Sequence, residues 1–160
     1  MPTSVATKKL GSRPGVSRTA VQRRGDVMLQ LLGLDEAELS VLLCDDDTIA
    51  ELNASYRDKP KPTDVLAFPL TEDFLDGQWQ GSGPLAQALE QPFLLGDVVI
   101  SLPTAARQAG PHSLRLEVTR LLAHGLLHLV GWDHDEDRRR LAMEAETERL
   151  IAAAQRGAPQ

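Results

Sequence analysis

His124-Gly125-Leu126-Leu127-His128-Leu129-Val130-Gly131-Trp132-Asp133-His134 holds three of the chain's four histidines, spaced His-x3-His-x5-His. On an α-helix each residue turns about 100°, so positions i and i+4 lie about 40° apart on one face, one turn above the other. Two imidazoles placed that way reach a single cation. The third cannot come from the same helix, because ten residues of helix would carry it about 15 Å along the axis. The chain must therefore leave the helix and fold back, and Gly131 is the residue that permits it. Three neutral imidazoles with an open fourth position make a catalytic type of zinc site. His124, His128 and His134 are thus the expected ligands of one Zn2+ per chain.

Outward from this window, the run from Leu114 to Gly131 is apolar on nearly all sides (Leu116, Val118, Leu121, Leu122, Leu126, Leu127, Leu129). It carries Arg115, Glu117 and Arg120 as well, and so reads as an interior helix rather than a membrane span. Ser113 or Pro111 opens it. Upstream, Ala20, Val21, Val27, Met28, Leu31 and Leu32 recur at helical intervals, with Ser17 or Thr19 as cap and Gly33 as stop. Leu39–Cys44, Val65–Pro69 and Phe93–Ser101 read as strands, and Pro69 ends its strand or places it at an edge. Asp45-Asp46-Asp47 caps a helix reaching about Ser55, since consecutive carboxylates do not converge on one ion. Pro103 opens a short helix, and a last helix runs from Arg138 to about Ala154. Residues 71–92, rich in Gly, Gln, Ser and Pro, read as a long connection, mobile or helical around Leu85–Leu89. The fold expected is α+β: a small mixed sheet of about four strands packed with helices, the metal-binding helix in the interior.

At 160 residues and 42% apolar content the chain can close one core. Residues 17–156 are expected to form that domain and residues 1–16 a flexible basic arm, with a short strand near Ser4–Lys9. Residues 1–25 carry Lys8, Lys9, Arg13, Arg18, Arg23 and Arg24 and no acid, a charge of +6 on a chain of net −6. Such an arm suits nucleic acid, an organellar transit peptide, or a merely solvated terminus. Cys44 is the only cysteine, which excludes an internal disulfide and a cysteine-based zinc site. With no apolar secretory segment at the start, the expected location is cytoplasmic, or organellar if residues 1–25 are a transit peptide. No membrane association is expected.

The histidine spacing is shared with metzincin proteases, whose motif begins His-Glu-x-x-His and uses the glutamate as general base. Here Gly125 stands at that position, and glycine cannot move a proton. General acid–base help is worth about two to four orders of magnitude, so peptide hydrolysis by that route is disfavoured. A Lewis acid remains, suited to a charged substrate held by a protein cation. Arg57 is the candidate, on a loop stiffened by Pro60 and Pro62 with Lys59 and Lys61 beside it; guanidinium matches phosphate oxygens bidentately. Asp133 either orients an imidazole or caps the last helix. His112 lies outside the spacing and receives no role.

The histidine window resembles the signature of the YbeY-type endoribonucleases. Two further blocks fit in the same order: Leu52-Asn53-Ala54-Ser55-Tyr56-Arg57 running into Lys61-Pro62-Thr63-Asp64-Val65-Leu66-Ala67-Phe68-Pro69, and Leu95-Gly96-Asp97-Val98-Val99-Ile100. The resemblance covers roughly residues 35–155. It implies an α+β fold with the metal helix beside a small sheet, a zinc ion on the three motif histidines, and activity that depends on Arg57 and His124. It implies a single-strand-specific endoribonuclease in 3′-end maturation of small-subunit rRNA and in ribosome quality control. The implied partners are single-stranded rRNA and the ribosomal small subunit or its assembly factors. Trp132 stands where the family often has Tyr, and Ala67 where it often has Ser; neither removes a ligand. The competing reading is a ribosome-assembly binding factor whose zinc is structural, which the acidic body would suit.

Overall fold

The computed structural model describes residues 3–11, 15–133 and 136–157. Its elements follow in the order β1 (Thr3–Lys8), α1 (Arg18–Leu31), β2 (Ala37–Cys44), α2 (Asp46–Arg57), β3 (Val65–Pro69), β4 (Phe74–Leu75), β5 (Gln78–Trp79), α3 (Leu85–Ala88), β6 (Phe93–Ser101), α4 (Leu102–Ala109), α5 (Leu114–Leu129) and α6 (Asp137–Gly157). Four strands form one mixed sheet in the order β1-β2-β6-β3. β1, β2 and β6 run parallel, and β3 closes the edge antiparallel to β6. This is the α+β architecture expected.

Period-two alternation sorts the strand residues onto two faces. Leu39, Val41 and Leu43 of β2 and Val98 and Ile100 of β6 join the main core with Leu122, Leu126 and Leu127 of α5. Cys44, Val99 and Leu66 face the other way and meet Ile49, with Leu42, Leu52 and Phe68 packed around them. The sheet is therefore covered by α5 on one side and by α2 on the other. α5 touches α1, α4, α6, β3 and β6, which explains why its apolar residues run around nearly the whole helix. Pro69 ends β3 at the sheet edge, where its missing N–H costs no ladder bond.

Two expectations are corrected. Residues 1–16 are not simply an arm outside the domain: Thr3–Lys8 pair in parallel with Leu39–Cys44 as an edge strand. The Thr3 amide donates to Asp26 Oδ1 at 2.9 Å, and Thr3 is fully buried. The helical start at Ser17 holds, since its hydroxyl accepts from the Ala20 amide. The 71–92 connection, expected to be mobile or partly helical, also holds a hairpin. Asp76 and Gly77, at φ +49° and +81°, make the two-residue turn of a β4–β5 hairpin, the positive-φ pair such hairpins favour. Phe74, Trp79 and Phe93 then pack edge-to-face with ring centroids 5.2 to 6.5 Å apart. The helix expected near Leu85–Leu89 is the single turn of α3.

Candidate active site

α5 is built to hold two histidines at a fixed place on the sheet. The Ser113 hydroxyl caps it, accepting from the Leu116 amide at 3.1 Å, the usual N-cap arrangement. At the other end Gly131 adopts φ +86°. Its amide donates to the His128 carbonyl at 3.1 Å and the Trp132 amide to the Leu127 carbonyl at 3.0 Å, the paired bonds of a Schellman turn. A Cβ at Gly131 would stand 2.3 Å from the Phe74 carbonyl oxygen, so the hairpin backbone and the helix end can meet only at a glycine. Gly77 N and Asp76 N complete the junction by donating to the Val130 and Gly131 carbonyls at 2.8 and 3.3 Å. Arg139 of α6 reaches Asp76 Oδ1 at 2.8 Å.

Gly125 has a second meaning. A Cβ there would fall 2.7 Å from Val98 Cγ1 and 3.4 Å from Val65 Cγ2, so the helix lies too close to β6 and β3 for any side chain. The position that carries a general base in the protease motif is here a packing contact.

His124 and His128 are half-buried, and their Nε2 atoms stand 3.1 Å apart. At that separation the nitrogens can share one proton or one cation. Two imidazoles bound to one tetrahedral zinc at about 2.0–2.1 Å would stand about 3.3 Å apart, so the pair fits a single ion. His134, the third expected ligand, lies outside the described residues. Among the described residues no group of three His, Cys, Asp or Glu side chains is close enough to hold an ion. The nearby carboxylates therefore do not complete a ligand set with the two histidines.

The histidines open onto a cleft of about 470 Å³ whose lining includes Arg57, Asp64, His124, His128 and Asp133. Arg57 reaches it from the last residue of α2, where the carbonyl end of the helix dipole favours a cation. Asp58 follows in the left-handed region at φ +57° and turns the chain away. Buried Asn53 fixes the loop beyond: its side-chain amide donates to the Lys61 carbonyl at 3.0 Å, and its backbone carbonyl accepts from the Lys59 amide at 3.2 Å. α2 is itself anchored at its start. Asp45 caps it by accepting from the Thr48 amide, and Asp46 accepts from Ser101 Oγ, Thr104 Oγ1 and Arg107 Nη2 at 2.6, 2.6 and 2.9 Å. Partial burial raises the Asp46 pKa, and these three hydrogen bonds outweigh it, leaving the carboxyl below the ordinary carboxylate value. The acidic triplet is structural, as the spacing suggests.

Asp64 was given no separate role by sequence reasoning. Its Oδ1 accepts from the Val65 amide at 2.8 Å, and its Oδ2 from the Gln108 side-chain nitrogen at 3.2 Å when that amide is turned to face its acceptors. The same nitrogen lies 3.2 Å from Glu117 Oε2, and Glu117 Oε1 meets His112 Nε2 at 2.9 Å. A polar chain thus runs from His112 to the wall of the cleft, so the histidine left without a role has a structural one. The Thr63-Asp64-Val65 block contained the clue, but only the crossing of β3 over α5 puts Asp64 beside His124. Glu72, from the 71–92 connection, shares a smaller pocket of about 180 Å³ with His128.

The described part of the site contains an imidazole pair that fits one cation, together with an arginine and an oriented carboxylate that line the same cleft. Comparison with known proteins agrees. The family model for endoribonuclease YbeY matches residues 16–155. Endoribonuclease YbeY of Aquifex aeolicus is 45% identical over 123 residues, 76% of this chain and 72% of the relative. The protein of the same name from Anaeromyxobacter is 44% identical over 161 residues, 94% of this chain and 76% of its own length. The solution structure of the Thermotoga maritima protein TM1509 superposes with a TM-score of 0.61 at 21% identity, covering 95% of this chain and 88% of that one; it shares the fold. The chain belongs to the endoribonuclease YbeY family.

Proposed function

We propose that this protein is a metal-dependent endoribonuclease that cuts single-stranded rRNA, acting in 3′-end maturation of small-subunit rRNA and in ribosome quality control. The observation that carries the reading is the single cleft shared by Arg57, His124 and His128. Its partners in this reading are rRNA and the small subunit or its assembly factors. Zn2+, one per chain, would be held by His124, His128 and His134, and would supply a Lewis acid that polarises the scissile phosphate or activates water. Arg57 holds the phosphate through two parallel N–H···O bonds and stabilises the charge that develops on it. The Asn53 bonds to Lys59 and Lys61 fix the backbone at the end of α2 from which the exposed Arg57 side chain projects. Gln108 and the Val65 amide hold the Asp64 carboxylate, a fixed negative charge that orients the site.

Purified protein should cleave a single-stranded rRNA fragment and leave a duplex of the same sequence intact, and a chelator should stop cleavage. Cleavage undiminished in both Arg57→Ala and His128→Ala, in preparations free of contaminating nuclease, would overturn the reading. A His128→Ala protein that folds and still supports rRNA processing would point instead to a binding factor.

A further inference from the structure

The opposite end of α5 carries a second cavity, of about 170 Å³, lined by Arg24, Ser113, Arg115, Leu116, Thr119 and Gln155. Arg24 comes from α1 and is only 5% exposed. Its Nε has no hydrogen-bond partner. No carboxylate pairs with Arg24 among the described residues. Its charged neighbour is another cation: burial first, and then the like charge of Arg115, push its pKa below the ordinary arginine value. A buried charge without a counter-charge is costly. An anion would remove that penalty.

The surroundings favour one. Ser113 caps the sixteen-residue α5, so the positive end of that helix dipole faces the same region. The Ser113 hydroxyl oxygen accepts from Leu116 and keeps its own proton to donate. Arg115 also borders an adjoining cavity of about 280 Å³ that includes Arg23. This concentration of positive charge stands on a chain of net −6.

We propose that the cavity between α1, the N-terminus of α5 and α6 binds a phosphate group, with Arg24 as the buried ligand and Arg115 and the Ser113 hydroxyl as its companions. The phosphate is either free or carried on an RNA strand; the second source rests on the proposed function, whereas phosphate binding itself does not.

The test is thermal unfolding of the full chain in sodium phosphate against sodium chloride of equal ionic strength, with titration calorimetry on inorganic phosphate. At ten times its Kd, phosphate should raise the wild-type midpoint by about 3–5 °C. Arg24→Met should lose that rise and bind phosphate at least tenfold more weakly, while folding as well as wild type in chloride, because it replaces an unpaired buried charge with an apolar side chain of similar length. Arg24→Lys, which keeps the charge but not the fork, covers the case in which the methionine variant does not fold, and should bind phosphate more weakly than wild type. Arg57→Ala should still show a phosphate-specific rise, which assigns that rise to this cavity and not to the histidine cleft. Wild type without a phosphate-specific rise, or a rise that survives in Arg24→Met and disappears in Arg57→Ala, overturns the proposal. Displacement of bound phosphate by a short single-stranded RNA would assign RNA as the source, and lack of displacement a free phosphate. Neither result depends on cleavage, so loss of nuclease activity and loss of phosphate binding can be told apart.

Discussion

The two walls of the cleft are held in place by different means. The α5 wall is part of the core: Leu122, Leu126 and Leu127 are fully buried around the histidines, and the glycines at 125 and 131 sit against other backbone or side chains with no room for a methyl group. The facing wall is the exposed end of α2, where Arg57 projects from a helix terminus held by Asp45, Asp46 and Asn53. One wall is positioned by packing, the other by hydrogen bonds and loop stiffness. Stability and activity should therefore be coupled on the α5 side and separable on the Arg57 side.

Arg57→Ala is the sharpest test of that separation. Removing a transition-state cation should lower kcat for RNA cleavage by about 10²–10³-fold, while an exposed site should change unfolding free energy by no more than about 0.5 kcal/mol. Single-turnover cleavage and urea unfolding of the same preparation measure the two quantities. A stability loss matching the activity loss would merge the two walls into one.

On the other wall, Gly131→Ala must place a Cβ against the Phe74 carbonyl at a positive φ, and Gly125→Ala must push α5 away from Val98. Overpacking of this kind costs about 1–3 kcal/mol, with Gly131 at the upper end because backbone cannot yield as a side chain can. Both variants should lose cleavage as well, since the imidazole pair moves with the helix. Denaturant midpoints together with cleavage rates decide it; Gly125→Ala with wild-type stability would break the comparison.

Asp46 tests the anchoring of α2. Its folded pKa is depressed below the ordinary 3.8, so its contribution is fully present above the unfolded value and disappears as pH falls through the folded one. Asp46→Asn should cost about 1–2 kcal/mol at pH 7, and the gap from wild type should close below about pH 4. Unfolding curves across that range would show it. A gap independent of pH would assign the loss to packing.

The smallest effect concerns Cys44, beneath α2. Burial first, and then the charges of Asp45 and Asp46, push its thiol up to about 12. In native protein at pH 8 it should not react with a thiol reagent over minutes, and should react at once in denaturant.

The contrast between the walls is also the contrast between what could and could not be read from the chain. α5, its cap at Ser113 and its stop at Gly131 were legible because periodicity, capping and a left-handed turn are local and leave residue-type signatures. Arg57 was a candidate from its chemistry, and the resemblance of three ordered blocks strengthened it. β1 was legible as a short strand near Ser4–Lys9, but its place in the sheet was not, because an edge strand exposes most of its side chains and is ordered by backbone bonds to Leu39–Cys44 that leave no residue-type signature. The hairpin did have a signature, Asp76-Gly77, hidden in a segment that reads as loop.

By itself the sequence determined that two imidazoles share a helical face, that the helix ends at Gly131, and that position 125 carries no base. Tertiary structure alone decided that Arg57 and Asp64 line one cleft with those imidazoles, that Gly125 is a packing requirement, and that Arg24 is buried next to another arginine. The physical reason is separation along the chain. Helical spacing acts over four residues, whereas the cleft joins residues 57 and 128, and the second cavity joins residues 24 and 115. Only the stacking of α1, α5 and the sheet around one core brings those pairs together.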